Sequence, residues 1–172
     1  SPPDRLSDDD VRRVLDIPEP QAFVVRLALS TGMRWGEMCR ASAKDLDGNM
    51  LIVHRTKSGK VRRVPLHPEI LRELKGRVGR LVPYSERANG SFNKFVARNS
   101  GIRKFHVHQL RHTFACRWLE RGGSLPALQQ ILGHASVVTT QHYAKLGDDL
   151  VRREAARITG SDPYGWRPPT TD

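Results

Sequence analysis

Apolar residues recur at helical spacing along most of this chain, and the breaks between runs coincide with strong stop signals. Ser7 followed by Asp8-Asp9-Asp10 predicts a helix start, since a hydroxyl cap and early acids suit the unpaired N–H groups there. Val11, Val14 and Leu15 give that helix its apolar face, and Pro18 and Pro20 break it. A second helix follows through Phe23, Val24, Leu27 and Ala28 to Gly32, and a third from Arg34-Trp35-Gly36-Glu37 to about Ala41. Helices resume after Pro68 with Ile70, Leu71 and Leu74, then from Ser91 to Ser100 ahead of Gly101. The clearest run spans Val107 to Arg121, with Leu110, Phe114, Ala115 and Leu119 apolar and Gly122-Gly123 ending it. Ser124 caps a helix from Leu125 to Leu132 that Gly133 terminates. A further helix is expected from Val137 to Lys145, and a last one from an Asp148 cap to Ile158.

Between residues 44 and 66 the period changes. Asp47-Gly48 is a turn signal, and Met50–Arg55 and Val61–Leu66 read as strands around a Thr56–Lys60 hairpin loop. With Lys44–Leu46 they predict a three-stranded antiparallel meander. The expected fold class is therefore α+β, mostly helical, with one small sheet. Residues 1–160 read as one domain, and 161–172, with three prolines, as an extended tail.

Composition narrows the options. The chain has 172 residues, enough for a real core, and 38% of them are apolar, which excludes a disordered basic tail. No run of 18 apolar residues is present to span a bilayer, and the opening Ser1-Pro-Pro-Asp does not resemble a secretory leader. Cys39 and Cys116 are expected to be reduced thiols of a cytosolic protein. The net charge of +11 is unevenly placed: residues 1–50 balance at −2, 51–121 at +13, and 122–172 at zero. Arginine outnumbers lysine 22 to 7, which favours forked contacts to phosphate. Nucleic acid is the simplest partner, with a solvated basic face as the alternative.

Several clusters carry chemistry-bearing residues at helix starts and tight turns. In Thr31-Gly32-Met33-Arg34-Trp35-Gly36-Glu37, Arg34 follows a glycine turn and Glu37 lies on its helical face, where a surface ion pair would serve equally well. His108 and Arg111 share one side of a helix, and His108 with His112 has metal-ligand spacing. However, the H-E-x-x-H pattern of a zinc hydrolase is missing. His134 follows the helix-ending Gly133, and Tyr143 comes nine residues later, behind Thr139-Thr140. Taken alone, each would more often be packing than catalysis.

Their order and spacing are more telling. Arg34 in Thr-Gly-Met-Arg-Trp-Gly-Glu, Lys57 in Thr-Lys-Ser-Gly-Lys, and Val64-Pro65-Leu66 resemble the tyrosine recombinases, or phage integrases. So do His108-x-x-Arg111-His112-Thr-Phe-Ala, Leu132-Gly133-His134, and Thr139-Thr140-x-x-Tyr143. The resemblance runs from about Ser7 to Leu146, and its one mild departure is Gln109, where the family often has Asp. It implies a catalytic set of Arg34, Lys57, His108, Arg111, His134 and Tyr143, with Glu37 behind it and no metal or other cofactor. Tyr143 would attack the scissile phosphate, giving a 3′-phosphotyrosyl link and a free 5′ hydroxyl. Arg34, Arg111 and His134 would meet the added charge, Lys57 rather than Lys60 would protonate the leaving oxygen, and His108 would manage the tyrosine proton. DNA contacts are expected from Lys60, Arg62, Arg63, Arg103 and Lys104.

The family's scheme adds double-stranded DNA at specific attachment sites, a homo-tetramer, strand exchange through a Holliday junction and accessory DNA-bending proteins. It also implies work at the nucleoid in the bacterial cytoplasm, away from membranes. Relatives usually carry an N-terminal core-binding domain, so the chain is expected to be the catalytic part of a longer protein. The competing readings are a DNA-binding module without catalysis, a dimer resolvase of the same family, a metal-dependent nuclease and a type IB topoisomerase.

Overall fold

A computed structural model describes residues 5–54, 59–133 and 144–160. The first helix, α1 (Asp8–Leu15), starts as its capping pattern predicts: the Ser7 hydroxyl accepts the Asp10 N–H at 3.1 Å. Helix α2 (Gln21–Thr31) is apolar almost all the way round and is accordingly central, with Phe23, Val24, Val25, Leu27 and Ala28 all buried. Its one charged residue, Arg26, reaches Glu73 and Glu19 at the surface. Gly32 ends α2 in the left-handed conformation, and α3 (Trp35–Arg40) begins at once with Arg34 as its N-cap.

The sheet has the order β1-β2-β3, built from β1 (Leu46–Asp47), β2 (Met50–His54) and β3 (Val61–Pro65), all antiparallel. Its first strand is shorter and later than Lys44–Leu46, because Ala43–Asp45 forms a 3₁₀ turn instead. The reason is local. The Asp45 carboxylate accepts the Ser42 N–H at 3.0 Å and lies 3.1 Å from the His54 ring, so side-chain bonding competes with strand pairing. The expected hairpin loop falls largely outside the described residues, which resume at Gly59.

Helices α4 (Pro68–Leu74) and α5 (Asn89–Ser100) lead to α6 (His108–Glu120), which packs along α2 and sends Leu110 into the main core. A backbone bond from Leu6 to the Thr113 hydroxyl, at 2.9 Å, ties the segment ahead of α1 to the same helix. Helix α7 (Leu125–Leu132) has the predicted limits, with the Ser124 hydroxyl accepting the Ala127 N–H and Gly133 left-handed at φ +67°. A smaller apolar cluster joins it to α6 through Ala115, Cys116, Leu119, Leu128 and Leu132.

The helix expected over 137–145 lies mostly outside the described residues. The last helix, α8 (Ala144–Thr159), runs straight through Asp148, which is therefore not its cap. Ion pairs one turn apart, Asp149 with Arg152 and Glu154 with Arg157, favour continuation of the helix, as does its packing on α6. Among the described residues, no helix is long and apolar enough to cross a membrane.

Candidate active site

The site forms where α3, β3 and α6 meet the carbonyl end of α7. The last carbonyls of a helix lack partners within it and carry partial negative charge. Here they are met by arginines from three separate elements. Arg111, buried in α6, donates from Nη1 to the Gly32 carbonyl at 2.8 Å and from Nη2 to the Leu132 carbonyl at 2.9 Å. Arg34 donates to the same Leu132 carbonyl at 3.4 Å, with a side chain still 31% exposed. The two arginines singled out by motif, 77 positions apart in the chain, thus converge immediately before Gly133.

Glu37 organises this corner. It is buried; its Oε1 accepts the Arg34 backbone N–H at 2.9 Å, and its Oε2 lies 3.8 Å from the Arg34 guanidinium. Burial alone would raise its pKa. The hydrogen bonds and charge of Arg62, followed by the backbone and charge of Arg34, outweigh that and hold the carboxyl below its ordinary value. Glu37 therefore stays ionised.

Arg62 was expected to face DNA, but the structure turns it inward. Its Nη1 and Nη2 donate to the two Glu37 oxygens at 2.5 and 2.8 Å, and its Nε donates to the Ile131 carbonyl at 2.6 Å. The β-strand alternation carries the signal that identifies it: residues 62, 64 and 66 share a face, and Val64 and Leu66 are core. A run of basic residues concealed that pattern. Of the other expected DNA contacts, Arg63 is exposed and paired with Asp47 at 2.7 Å, while Lys60, Arg103 and Lys104 are also exposed.

His108 opens α6 one turn before Arg111, with its ring 4.6 Å from that of His112 in an edge-to-face arrangement. Partial burial and the positive charge of His112, Arg111, His106 and Arg34 push its pKa down to about 4. The ring is therefore neutral near pH 7. It borders an open cleft of about 390 Å³ shared with Lys104, His106, Gln109 and His112. Among the described residues, no group of three or more His, Cys, Asp or Glu side chains could hold a metal ion. Lys57, His134 and Tyr143 lie outside the described residues, so the structure brings together Arg34, Glu37, His108 and Arg111 from the expected set and adds Arg62 behind them.

Comparisons with known proteins show the family and the fold. The profile of the Phage integrase family matches residues 4–87 and 80–149. Tyrosine recombinase XerA of Pyrococcus furiosus is 33% identical over 166 residues, which takes in 84% of this chain and 58% of the relative. The integrase of Escherichia phage P2 is 31% identical over 132 residues, 73% of this chain and 38% of the relative. The chain thus spans 58% or less of the length of these two relatives. The catalytic domain of bacteriophage HP1 integrase superposes with a TM-score of 0.75 at 29% identity, covering 92% of this chain and 97% of that one. Motif order, converging arginines, sequence match and superposition agree: the chain belongs to the phage integrase family of tyrosine recombinases, and its fold is that of the family's catalytic domain.

Proposed function

We propose that this domain cleaves and rejoins double-stranded DNA at specific sites by way of Tyr143. The observation that carries the reading is the convergence of Arg34 and Arg111 on the Leu132 carbonyl, two residues ahead of His134. Two fixed guanidiniums at one point suit a phosphoryl group whose non-bridging oxygens gain charge as phosphorus becomes five-coordinate.

In this scheme the Tyr143 phenolic oxygen bonds to phosphorus while the bond to the 5′ oxygen breaks. Arg34, Arg111 and a hydrogen bond from His134 stabilise the added charge. Lys57 supplies the proton taken up by the leaving 5′ oxygen, and His108, neutral at the working pH, accepts the proton lost by Tyr143. The product is a 3′-phosphotyrosyl link, which keeps the energy of the phosphodiester. A second strand's 5′ hydroxyl reverses the step without ATP, metal or other cofactor. Four protomers on two duplexes, with accessory DNA-bending proteins, would exchange strands through a Holliday junction at the nucleoid. Lys60, Arg63, Arg103 and Lys104 would bind the flanking phosphates, and residues 161–172 would form a separate tail. A core-binding domain in the full-length protein would clamp the other side of the DNA.

The decisive experiment uses a nicked duplex that traps the covalent intermediate. The wild-type protein, with chelator present, is expected to form an adduct that survives denaturation, and Tyr143→Phe none, with non-covalent binding unchanged. An equal adduct from the Phe variant, or loss of the adduct on chelation, overturns the reading. Strand exchange between two duplexes, rather than relaxation of supercoils alone, separates recombinase from topoisomerase. Resolution of tandem sites on one molecule would mark a dimer resolvase.

A further inference from the structure

Arg62 sits where three parts of the site meet. It arises from β3, the strand that follows the Lys57 hairpin, opposite Val53 in the sheet register. Its side chain crosses Gly133 so closely that a Cβ on that glycine would lie 2.9 Å from Arg62 Cδ. Its Nε then holds the Ile131 carbonyl, and its fork grips both oxygens of Glu37, whose Oε1 also takes the Arg34 backbone. One planar group therefore joins the hairpin strand, the end of α7 and the start of α3. A lysine lacks this planar fork, so its single nitrogen could not reproduce the paired contact to Glu37 together with the Ile131 contact in the same geometry. The guanidinium is largely shielded, at 12% side-chain exposure, which suits internal fastening better than a phosphate contact.

We propose that Arg62 is a positioning residue for the strand-cleavage reaction, registering β3 against Arg34 through Glu37 and against the end of α7 at Gly133 through the Ile131 carbonyl. What it positions rests on the recombinase reading; the three-way fastening rests on geometry alone. Left-handed Gly133 is part of the device, since any side chain there would push into the Arg62 stem.

The test compares Arg62→Met, Arg62→Lys, Glu37→Gln and the Met/Gln double variant with the wild-type protein. Single-turnover cleavage at saturating nicked DNA is expected to fall ~10–100-fold for Arg62→Met, the range typical when a partner that orients a reacting group is lost. Arg62→Lys should fall between that variant and wild type, and the DNA dissociation constant should move less than about threefold, within ordinary mutational scatter. The Met and Gln losses should not multiply in the double variant, because both remove the same link.

Hydrogen exchange provides a readout that does not depend on activity. Arg62→Met should speed exchange at the Leu132 and Gly133 amides and along Val61–Val64, while α2 keeps its protection. Weakened DNA binding with unchanged saturated cleavage would make Arg62 a DNA contact and overturn the proposal, as would unchanged exchange at those amides. If Arg62→Met does not fold, Arg62→Lys decides, and wild-type cleavage by it overturns the proposal. A wild-type protein that forms no adduct defeats the recombinase reading instead, and the exchange data still decide whether Arg62 fastens the three elements.

Discussion

Gly32 shows how much one backbone position carries. It ends α2 at φ +70°, and its carbonyl accepts Arg111 at 2.8 Å. A Cβ there would lie 2.6 Å from Phe114 Cδ1 and 2.6 Å from Leu132 Cδ2, so the chain turns where α2, α6 and α7 touch. Gly32→Ala should lose about 1 kcal/mol to left-handed strain and about 1–3 kcal/mol to overpacking. Gly48, at φ +62° with nothing within 4 Å of a built Cβ, isolates the first effect. Denaturant unfolding of both alanine variants should therefore show Gly32→Ala destabilised by about 2–4 kcal/mol and Gly48→Ala by only about 1. Equal losses would mean that the packing around Gly32 yields. Cleavage should follow the same order, because of the two glycines Gly32 is the one whose carbonyl holds Arg111.

At the scale of elements, the site depends on α7, which gives the main core only Ile131. Its apolar face meets the small cluster of Ala115, Cys116, Leu119, Leu128 and Leu132, while its far end is held by Arg34, Arg62 and Arg111. Leu128→Ala is expected to cost about 2–5 kcal/mol. The loss should appear first as faster amide exchange over Leu125–Leu132, with slower cleavage and little change in non-covalent DNA binding. Exchange rising uniformly through α2 would show instead that α7 unfolds only with the whole domain. The limits of this helix were legible because Ser124 and Gly133 are local signals for a local structure. The β1 start and the continuity of α8 were not, since Asp45 and Asp148 are equally fit to bond nearby backbone or to sit in a turn, and contacts elsewhere decide. The same division holds in the site. Arg34 and Arg111 stood out by motif order, whereas the role of Arg62 depends on a carbonyl 69 residues away.

For the whole molecule the question is where the basic excess goes once the chain is folded. The acidic first segment turns back on the basic middle: Asp8 pairs with Arg117, Glu37 with Arg62 and Asp47 with Arg63. Folding thus commits part of the +13 between residues 51 and 121 to internal pairs. Arg103 and Lys104 make no ion pair among the described residues; both are exposed, and Lys104 lines the cleft beside His108. If the basic middle is the DNA face, affinity should fall linearly in log–log form with salt, with a slope of about −0.9 per phosphate neutralised. Six to ten such contacts would mean a loss of ~10³–10⁵ in affinity between ~50 and ~200 mM salt. Replacing Arg103 and Lys104 together by alanine should make that slope shallower by about 2, one step per phosphate contact. Arg62→Met should leave the slope alone, because its charge is already spent on Glu37. Fluorescence anisotropy on one labelled duplex across the salt range measures all three proteins. A wild-type slope near zero would remove DNA from this face, and a slope changed as much by Arg62→Met as by the surface pair would mean that burial does not separate the two kinds of arginine.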